Sequence, residues 1–188
     1  MLIDQLHRDE NSGIEIAVVI GDRKTAYALT RARNAGVPTY FVDARDFPNR
    51  EAFDAEISRL IEVHDTEVIV LAGYMKLFQP PFVRKYRNRI INIHPSLLPA
   101  FPGAHAVPDT LKYGVKITGV TVHFVDEGID TGPIIAQVPV RVLDDDDEES
   151  LHARIQVEEH RLYPQVIKWF AEGKLKVSGR KVIVKESA

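Results

Sequence analysis

The sequence has no cysteine among its 188 residues, which excludes disulfide bonds, thiolate metal sites and cysteine nucleophiles. It also lacks an apolar run of membrane-spanning length, and its first residues, MLIDQLHRDE, do not have the pattern of a signal peptide. Neither sign of charge dominates, because 24 basic side chains stand against 27 acidic ones. This balance gives no electrostatic reason to expect nucleic acid or a membrane as a partner. We expect a soluble, cytoplasmic protein.

Apolar side chains, in contrast, are present in sufficient number for a buried core, since hydrophobic residues make up 45% of the chain. A chain of this length forms one domain by default, and we expect a single domain over residues 1–188. No internal repeat, linker or low-complexity segment interrupts the sequence.

Strand and helix signals alternate in the first half of the chain. Short β-branched or apolar runs predict strands, and stretches rich in helix formers predict helices between them. The predicted strands are 14–21, 39–43, 67–73 and 91–94, and the predicted helices are 25–36, 49–64 and 82–86. In the second helix, Phe53, Ile57, Leu60 and Ile61 share one face. This alternation predicts an α/β fold with a doubly wound, mostly parallel, Rossmann-like sheet.

The second half has a different pattern. Two long strand-like runs at 117–128 and 132–142 predict an antiparallel pair added to the sheet, and the tail predicts a small hairpin turning at Ser178-Gly179. Between them, the acidic run 144–149 precedes a helical pattern in which Leu151, Ile155, Leu162, Val166 and Phe170 recur. The acidic run could bind a ligand, but carboxylates at a helix start are the more common case. Asp146 and Glu149 have the spacing of a capping box.

The stretch INIHPSLL, residues 91–98, places two polar side chains on one face of a strand. Ile91 and Ile93 alternate with Asn92 and His94, and Pro95 ends the strand because it has no amide hydrogen to donate. Open α/β sheets carry their chemistry at strand ends. Taken alone, however, an asparagine and a histidine at a strand end more often cap loops and bond to the main chain.

Three segments indicate more than a strand end. INIHPSLLPAFPG (91–103), GVTVHFVDEGIDTGPII (119–135) and EEHRLYPQVIKWF (158–170) resemble the folate-dependent formyltransferases. Within that family they are most similar to the enzymes of purine biosynthesis, which transfer a formyl group from 10-formyltetrahydrofolate to glycinamide ribonucleotide. The similarity extends from about residue 14 to the C-terminus. The related methionyl-tRNA formyltransferases and formyltetrahydrofolate deformylases would each need a further domain that this sequence does not show.

The resemblance implies catalytic roles that suit the chemistry. His94 would carry the proton between the attacking amine and the leaving folate nitrogen, and Asn92 would donate a hydrogen bond to the developing oxyanion. Asp130 would favour the charged imidazolium form of His94, although a residue between loop glycines is often only a turn residue. Thr121 would help to hold a water molecule in the proton path.

The remaining histidines are expected to be structural, His105 in a loop rich in proline and glycine and His123 on an apolar strand. A metal site formed by His94, His105, His123 and Asp130 is conceivable. No ligand spacing such as HxxxH supports it, and we expect no metal.

The resemblance also implies two binding regions. The residues that would contact the folate are Arg50, Met75, Lys76, Leu77, Phe78, Asn92, Val125, Asp126 and Glu127, and those that would contact the ribonucleotide are Gln156, Glu159 and His160. Ordinary core packing remains an alternative for Leu77 and Phe78. The helical surface residues Gln156, Glu159 and His160 depend mostly on the resemblance.

One departure from the family pattern concerns the N-terminus. The family begins with a central strand and a glycine-rich phosphate-binding loop, and both would precede MLIDQLHRD. We expect either a start assigned too far downstream or a truncated chain, rather than a rebuilt sheet. A formyltetrahydrofolate hydrolase and a non-catalytic folate-binding remnant are the alternatives to a transferase. The oligomeric state stays open, a homodimer included.

Overall fold

Strands and helices alternate through the first half of the protein, as the sequence predicts. The computed structural model describes residues 1–185. The elements are β1 (Val19–Gly21), α1 (Tyr27–Asn34), β2 (Thr39–Phe41), α2 (Arg50–Val63), β3 (Ile69–Leu71), α3 (Pro80–Lys85) and β4 (Ile90–His94), with a π-helical segment at Ile3–His7 and a 3-10 turn at Ala44–Asp46. Most boundaries lie within two residues of the predicted ones.

Strand β1 is shorter than predicted at its N-terminal end. The sequence predicts a strand from residue 14, but the ladder with β2 begins at Val19. The main-chain amide of Ile14 donates to Ser12 Oγ and that of Ile16 donates to His7 Nδ1, at 3.1 and 3.2 Å. These two amides therefore bond to residues that precede them in the chain and are not available to a neighbouring strand.

The second half contains α4 (Ala106–Tyr113), β5 (Ile117–Phe124), β6 (Ile134–Arg141), α5 (Glu148–Ala171), β7 (Leu175–Ser178) and β8 (Lys181–Val184). The antiparallel pairing of β5 with β6 and the C-terminal hairpin are confirmed. The hairpin turn lies at Gly179 and Arg180, one residue later than predicted. Helix α4 was not predicted. It accommodates Pro108 because the amides of a first helical turn have no partner within the helix.

The strands form two ladders. The larger sheet has the order β3-β4-β5-β6-β8-β7, and β1 and β2 pair in parallel as a separate two-stranded sheet. Strands β3 and β4 are parallel, as are β6 and β8, whereas β4 with β5 is antiparallel. The α/β, Rossmann-like fold class is confirmed, with the antiparallel strands in the C-terminal half.

Two apolar clusters hold these layers together. Helix α5 packs on β5 and β6 and buries the predicted Leu151, Ile155, Leu162 and Val166. Helix α2 buries its predicted face of Phe53, Ile57, Leu60 and Ile61 in the second cluster. Burying an aliphatic side chain of this size stabilises a protein by about 1.5–3 kcal/mol. Within residues 1–185, no helix combines the length and apolar character needed to cross a membrane.

The start of α5 corrects one prediction. The capping box is formed by Asp147 and Ser150, whose side chains and main-chain amides bond reciprocally. Asp146, which was predicted in that role, lies one residue too early. Its carboxylate accepts hydrogen bonds from Arg154 at 2.7 and 2.8 Å and from the Leu143 amide at 2.7 Å. The ion pair with Arg154 lowers the pKa of Asp146, although burial acts in the opposite direction. The acidic run is thus a helix start, as expected, with a different cap.

Candidate active site

The site begins at the C-terminal end of β4. Ile90 and Ile91 anchor this strand in the core, and its last residue is His94, directly before Pro95. In the antiparallel ladder with β5, Asn92 lies opposite His123 and His94 opposite Thr121. Two polar side chains from each strand therefore meet at one end of the sheet.

The two ring nitrogens of His94 have different neighbours. Nε2 lies 2.8 Å from the carbonyl oxygen of Phe101, and because a carbonyl only accepts, Nε2 carries the hydrogen. Nδ1 lies 3.4 Å from Oδ2 of Asp130. Only Nδ1 is then available to take up or release a proton. The ring is 4% exposed, which keeps it largely out of bulk water.

Asp130 reaches this ring from the loop between β5 and β6. Its φ of 53° lies in the left-handed region, and two residues later Gly132 allows the chain to turn back. A Cβ at Gly132 would overlap the carbonyl oxygen of Phe124. The pKa of Asp130 is lowered to about 2 by the neighbouring His123 imidazole, whose Nε2 lies 3.6 Å from Oδ1, and by the 2.8 Å hydrogen bond from the Gly103 amide. Burial acts in the opposite direction. The carboxylate is therefore ionised at neutral pH.

His123 belongs to this cluster, whereas the sequence predicted only a structural role for it. Its Nδ1 donates to the Phe124 carbonyl at 2.9 Å, so Nε2 of the neutral ring is an acceptor. Nδ2 of Asn92 lies 3.2 Å from that nitrogen and donates to it. Oδ1 of Asp130 lies 3.6 Å from the same atom. The β5–β6 ladder shifts register between Val122 and His123, which sets the direction of this side chain. His123 thereby orients the amide of Asn92.

Thr121 has a different role from the predicted one of holding a water molecule. Its hydroxyl is fully buried, donates to the Ser96 carbonyl at 2.6 Å, and accepts from the Leu98 amide and from Gln137 at 3.1 and 2.9 Å. With its donor and both acceptor positions occupied, it has no capacity left for water. It holds the loop after β4, and this loop carries the Phe101 carbonyl that contacts His94.

A cavity of about 90 Å³ opens beside these side chains. Among the residues predicted to contact folate, it is lined by Lys76, Leu77, Phe78, Asn92, Val125, Asp126 and Glu127, and also by Tyr74, His123 and Asp130. Met75 does not line it and is 64% exposed. Arg50 lies behind the lining, where its Nη2 donates to the Leu77 carbonyl at 2.6 Å. Burial raises the pKa of Tyr74 to about 12, so its hydroxyl is protonated at neutral pH. A larger depression of about 600 Å³ beside the C-terminal hairpin contains none of these groups.

The predicted ribonucleotide contacts lie on α5 and do not join the His94 cluster. Gln156 and His160 are exposed, and Glu159 is half-buried. Burial raises the pKa of Glu159, while the nearby His152 lowers it. The predicted structural residue His105 is exposed at the start of α4. Within residues 1–185, no group of three or more acidic or histidine side chains has the arrangement of a metal site.

An imidazole, a carboxylate and an amide at the strand ends of a Rossmann-like sheet are characteristic of an α/β group-transfer enzyme. Residues 1–167 match the sequence profile of the formyl transferase family, and the chain belongs to that family.

Individual relatives agree with the family profile. The chain is 47% identical over 163 residues to a phosphoribosylglycinamide formyltransferase of Mycobacterium tuberculosis, covering 87% of this chain and 76% of that protein. The crystal structure of glycinamide ribonucleotide transformylase 1 from Symbiobacterium toebii superposes with a TM-score of 0.90 at 49% identity, covering 92% of this chain and 81% of the other. The trifunctional purine biosynthetic protein adenosine-3 of Drosophila pseudoobscura pseudoobscura is 45% identical over 177 residues. This chain spans only 13% of that protein's length.

Proposed function

We propose that this protein transfers the formyl group of 10-formyltetrahydrofolate to the amine of glycinamide ribonucleotide, a step of purine biosynthesis. The contact between Nδ1 of His94 and Asp130 carries the proposal, because it puts an exchangeable ring nitrogen beside a permanent negative charge. Membership of the formyl transferase family supports the formyl group as the group that is transferred. The names of two relatives, each covered over three quarters or more of its length, support glycinamide ribonucleotide as the acceptor.

The reaction places three demands on the site, and each has a side chain to meet it. As the amine attacks the formyl carbon, the carbonyl oxygen becomes an oxyanion, which Asn92 stabilises with its second amide hydrogen. Nδ1 of His94 takes the proton that the amine loses and returns it to the folate nitrogen as that carbon–nitrogen bond breaks. Asp130 stabilises the imidazolium between the two transfers. No proton is gained or lost overall, so the ring ends in its starting form.

For the donor, we propose the 90 Å³ cavity, with the segment 74–78 on one side and the loop 125–127 on the other. Its mixed lining of apolar and polar residues suits a flat heterocycle. For the acceptor, we propose Glu159, whose half-buried carboxylate could accept hydrogen bonds from ribose hydroxyls, with Gln156 and His160 near the phosphate.

The test is formyl transfer from labelled 10-formyltetrahydrofolate, measured with and without glycinamide ribonucleotide. Labelled product that requires the amine, together with its loss in His94→Ala, supports the proposal. Formate release without the amine would instead indicate the hydrolase alternative. Folate binding with neither product would indicate a non-catalytic binding protein. The relatives that support the transferase argue against both of these outcomes.

A further inference from the structure

Segment 74–79 forms one wall of the cavity. A buried carboxylate on α2, outside the catalytic cluster, forms a hydrogen bond to this wall. Asp54 is 4% exposed, although charged side chains are rarely buried without a partner. Its Oδ2 accepts a hydrogen bond of 2.7 Å from the amide of Gln79. Burial raises the pKa of Asp54, and the Gln79 amide and Arg50 oppose that effect.

Arg50, one helical turn earlier, contacts the same wall. Its Nε lies 3.4 Å from Oδ1 of Asp54, and neither atom has a hydrogen-bond partner, so each charge is balanced by the other. Nη2 of Arg50 donates to the Leu77 carbonyl at 2.6 Å and to the Tyr74 hydroxyl at 3.2 Å. The Asp54–Arg50 pair therefore reaches the wall at three points.

These contacts matter because the backbone of the wall has few hydrogen bonds. Outside the β3 ladder, residues 72–78 make no hydrogen bond between main-chain groups within the described chain. Four residues of this wall, Tyr74, Lys76, Leu77 and Phe78, line the cavity. A segment without its own hydrogen bonds takes many conformations unless side chains fix it. The side chains of Asp54 and Arg50 form the hydrogen bonds to the backbone of this wall, at the Gln79 amide and the Leu77 carbonyl.

We propose that Asp54 is a positioning residue for the folate-binding cavity: it fixes segment 74–79 directly at Gln79, and at Leu77 through Arg50. Asp54 touches no substrate. It acts by holding the wall in the conformation that receives the folate, and in this respect the inference rests on the proposed function. Loss of Asp54 should weaken folate binding in the ground state and the transition state alike, which raises KM and leaves kcat unchanged.

The experiment compares Asp54→Ala and Asp54→Asn with Ser58→Ala as a matched control. Ser58 is also buried on α2, and its hydroxyl bonds to Tyr86 and Lys85 at 2.7 and 2.8 Å, away from segment 74–79. We expect Asp54→Ala to raise the dissociation constant of a non-reactive folate analogue and the KM for the formyl donor by about tenfold, with kcat within about twofold of the wild-type value. Asp54→Asn can still accept from Gln79 and should have a smaller effect, with less risk of misfolding. Ser58→Ala should leave both binding constants unchanged.

Amide hydrogen exchange provides a second readout that does not depend on activity. Exchange at residues 72–79 should accelerate in Asp54→Ala and not in Ser58→Ala. If Asp54→Ala and Ser58→Ala have the same effect on analogue affinity, the inference is overturned, even when the wild type transfers formyl groups. If the wild type binds the analogue, Asp54→Ala weakens that binding and no transfer occurs, the inference stands and the proposed function fails.

Discussion

Nδ1 of His94 and Oδ2 of Asp130 lie 3.4 Å apart, although 35 residues separate them in the chain. The contact depends on the position of His94 at the last residue of β4 and on the left-handed backbone of Asp130. The Phe101 carbonyl fixes the opposite side of the imidazole. A variant that alters this contact therefore reports both on the backbone positions that bring the two side chains together and on proton transfer by His94.

Replacing His94 with alanine should remove the proton carrier without disturbing the folate cavity. We expect kcat to fall by roughly 10²- to 10⁴-fold, with little change in the affinity for a folate analogue. His105→Ala is the matched control, because His105 is exposed at the start of α4 and its side chain makes no capping hydrogen bond to that helix. Full activity in His94→Ala would contradict the assigned role.

Asp130→Asn should change the pH dependence of turnover. With a pKa of about 2, Asp130 is ionised at every pH at which activity is measured, so the acidic limb of the kcat profile does not report its own titration. A nearby carboxylate favours the imidazolium, and its removal should move that limb to lower pH while kcat falls. An acidic limb at the same pH in both proteins would show that the carboxylate does not act on the proton carrier.

The same carboxylate should make stability depend on pH. Because the folded pKa of about 2 lies below the reference value of 3.8, the stabilisation is present above 3.8 and is lost as the pH falls through about 2. Over this interval the free energy of unfolding should decline by about 2 kcal/mol more in the wild type than in Asp130→Asn. Urea denaturation at successive pH values measures both curves. Parallel curves would contradict the depressed pKa.

His123 should act through Asn92. In His123→Ala the Asn92 amide loses its acceptor, and we expect kcat to fall by about tenfold. A double-mutant cycle with Asn92→Ala separates this role from general destabilisation. The two changes should be strongly non-additive in kcat, because each disrupts the same oriented amide. Additive effects would indicate that His123 acts independently of Asn92.

Glu159→Gln should weaken binding of the ribonucleotide and increase the stability of the folded protein. Since burial raises the pKa of Glu159 above its ordinary 4.5, the charged form is disfavoured in the folded protein at neutral pH. The neutral glutamine should therefore raise the free energy of unfolding at pH 7, and this gain should disappear below pH 4.5. The KM for the ribonucleotide should rise because the charged acceptor is lost. A variant that is no more stable than the wild type at pH 7 would contradict the effect of burial.

The sequence predicted the structure best where the spacing of apolar and polar residues matches the period of a strand or a helix. Alternation alone placed Asn92 and His94 on one face of β4, and helical spacing identified the buried faces of α2 and α5. His123 also fits an alternating strand, but its contact with Asn92 depends on the register between β4 and β5, which no local pattern contains. Helix α4 was not predicted because it contains Pro108, and proline usually indicates a loop although it is tolerated in a first helical turn. The capping residue differed by one position because four consecutive aspartates offer equivalent caps until packing selects one.

The hydrogen bond between His94 and the Phe101 carbonyl has a stereochemical consequence. With one ring nitrogen committed to the main chain, the same atom must collect the proton from one reactant nitrogen and deliver it to the other. Both nitrogens are bonded to the same tetrahedral carbon, so that carbon must turn its two nitrogens toward a single edge of the imidazole and its oxygen toward Asn92. The two nitrogens come from different substrates, so if each substrate is held in its own site they cannot exchange places. The tetrahedral carbon would then have one handed arrangement of substituents, although it is not chiral in either substrate or product.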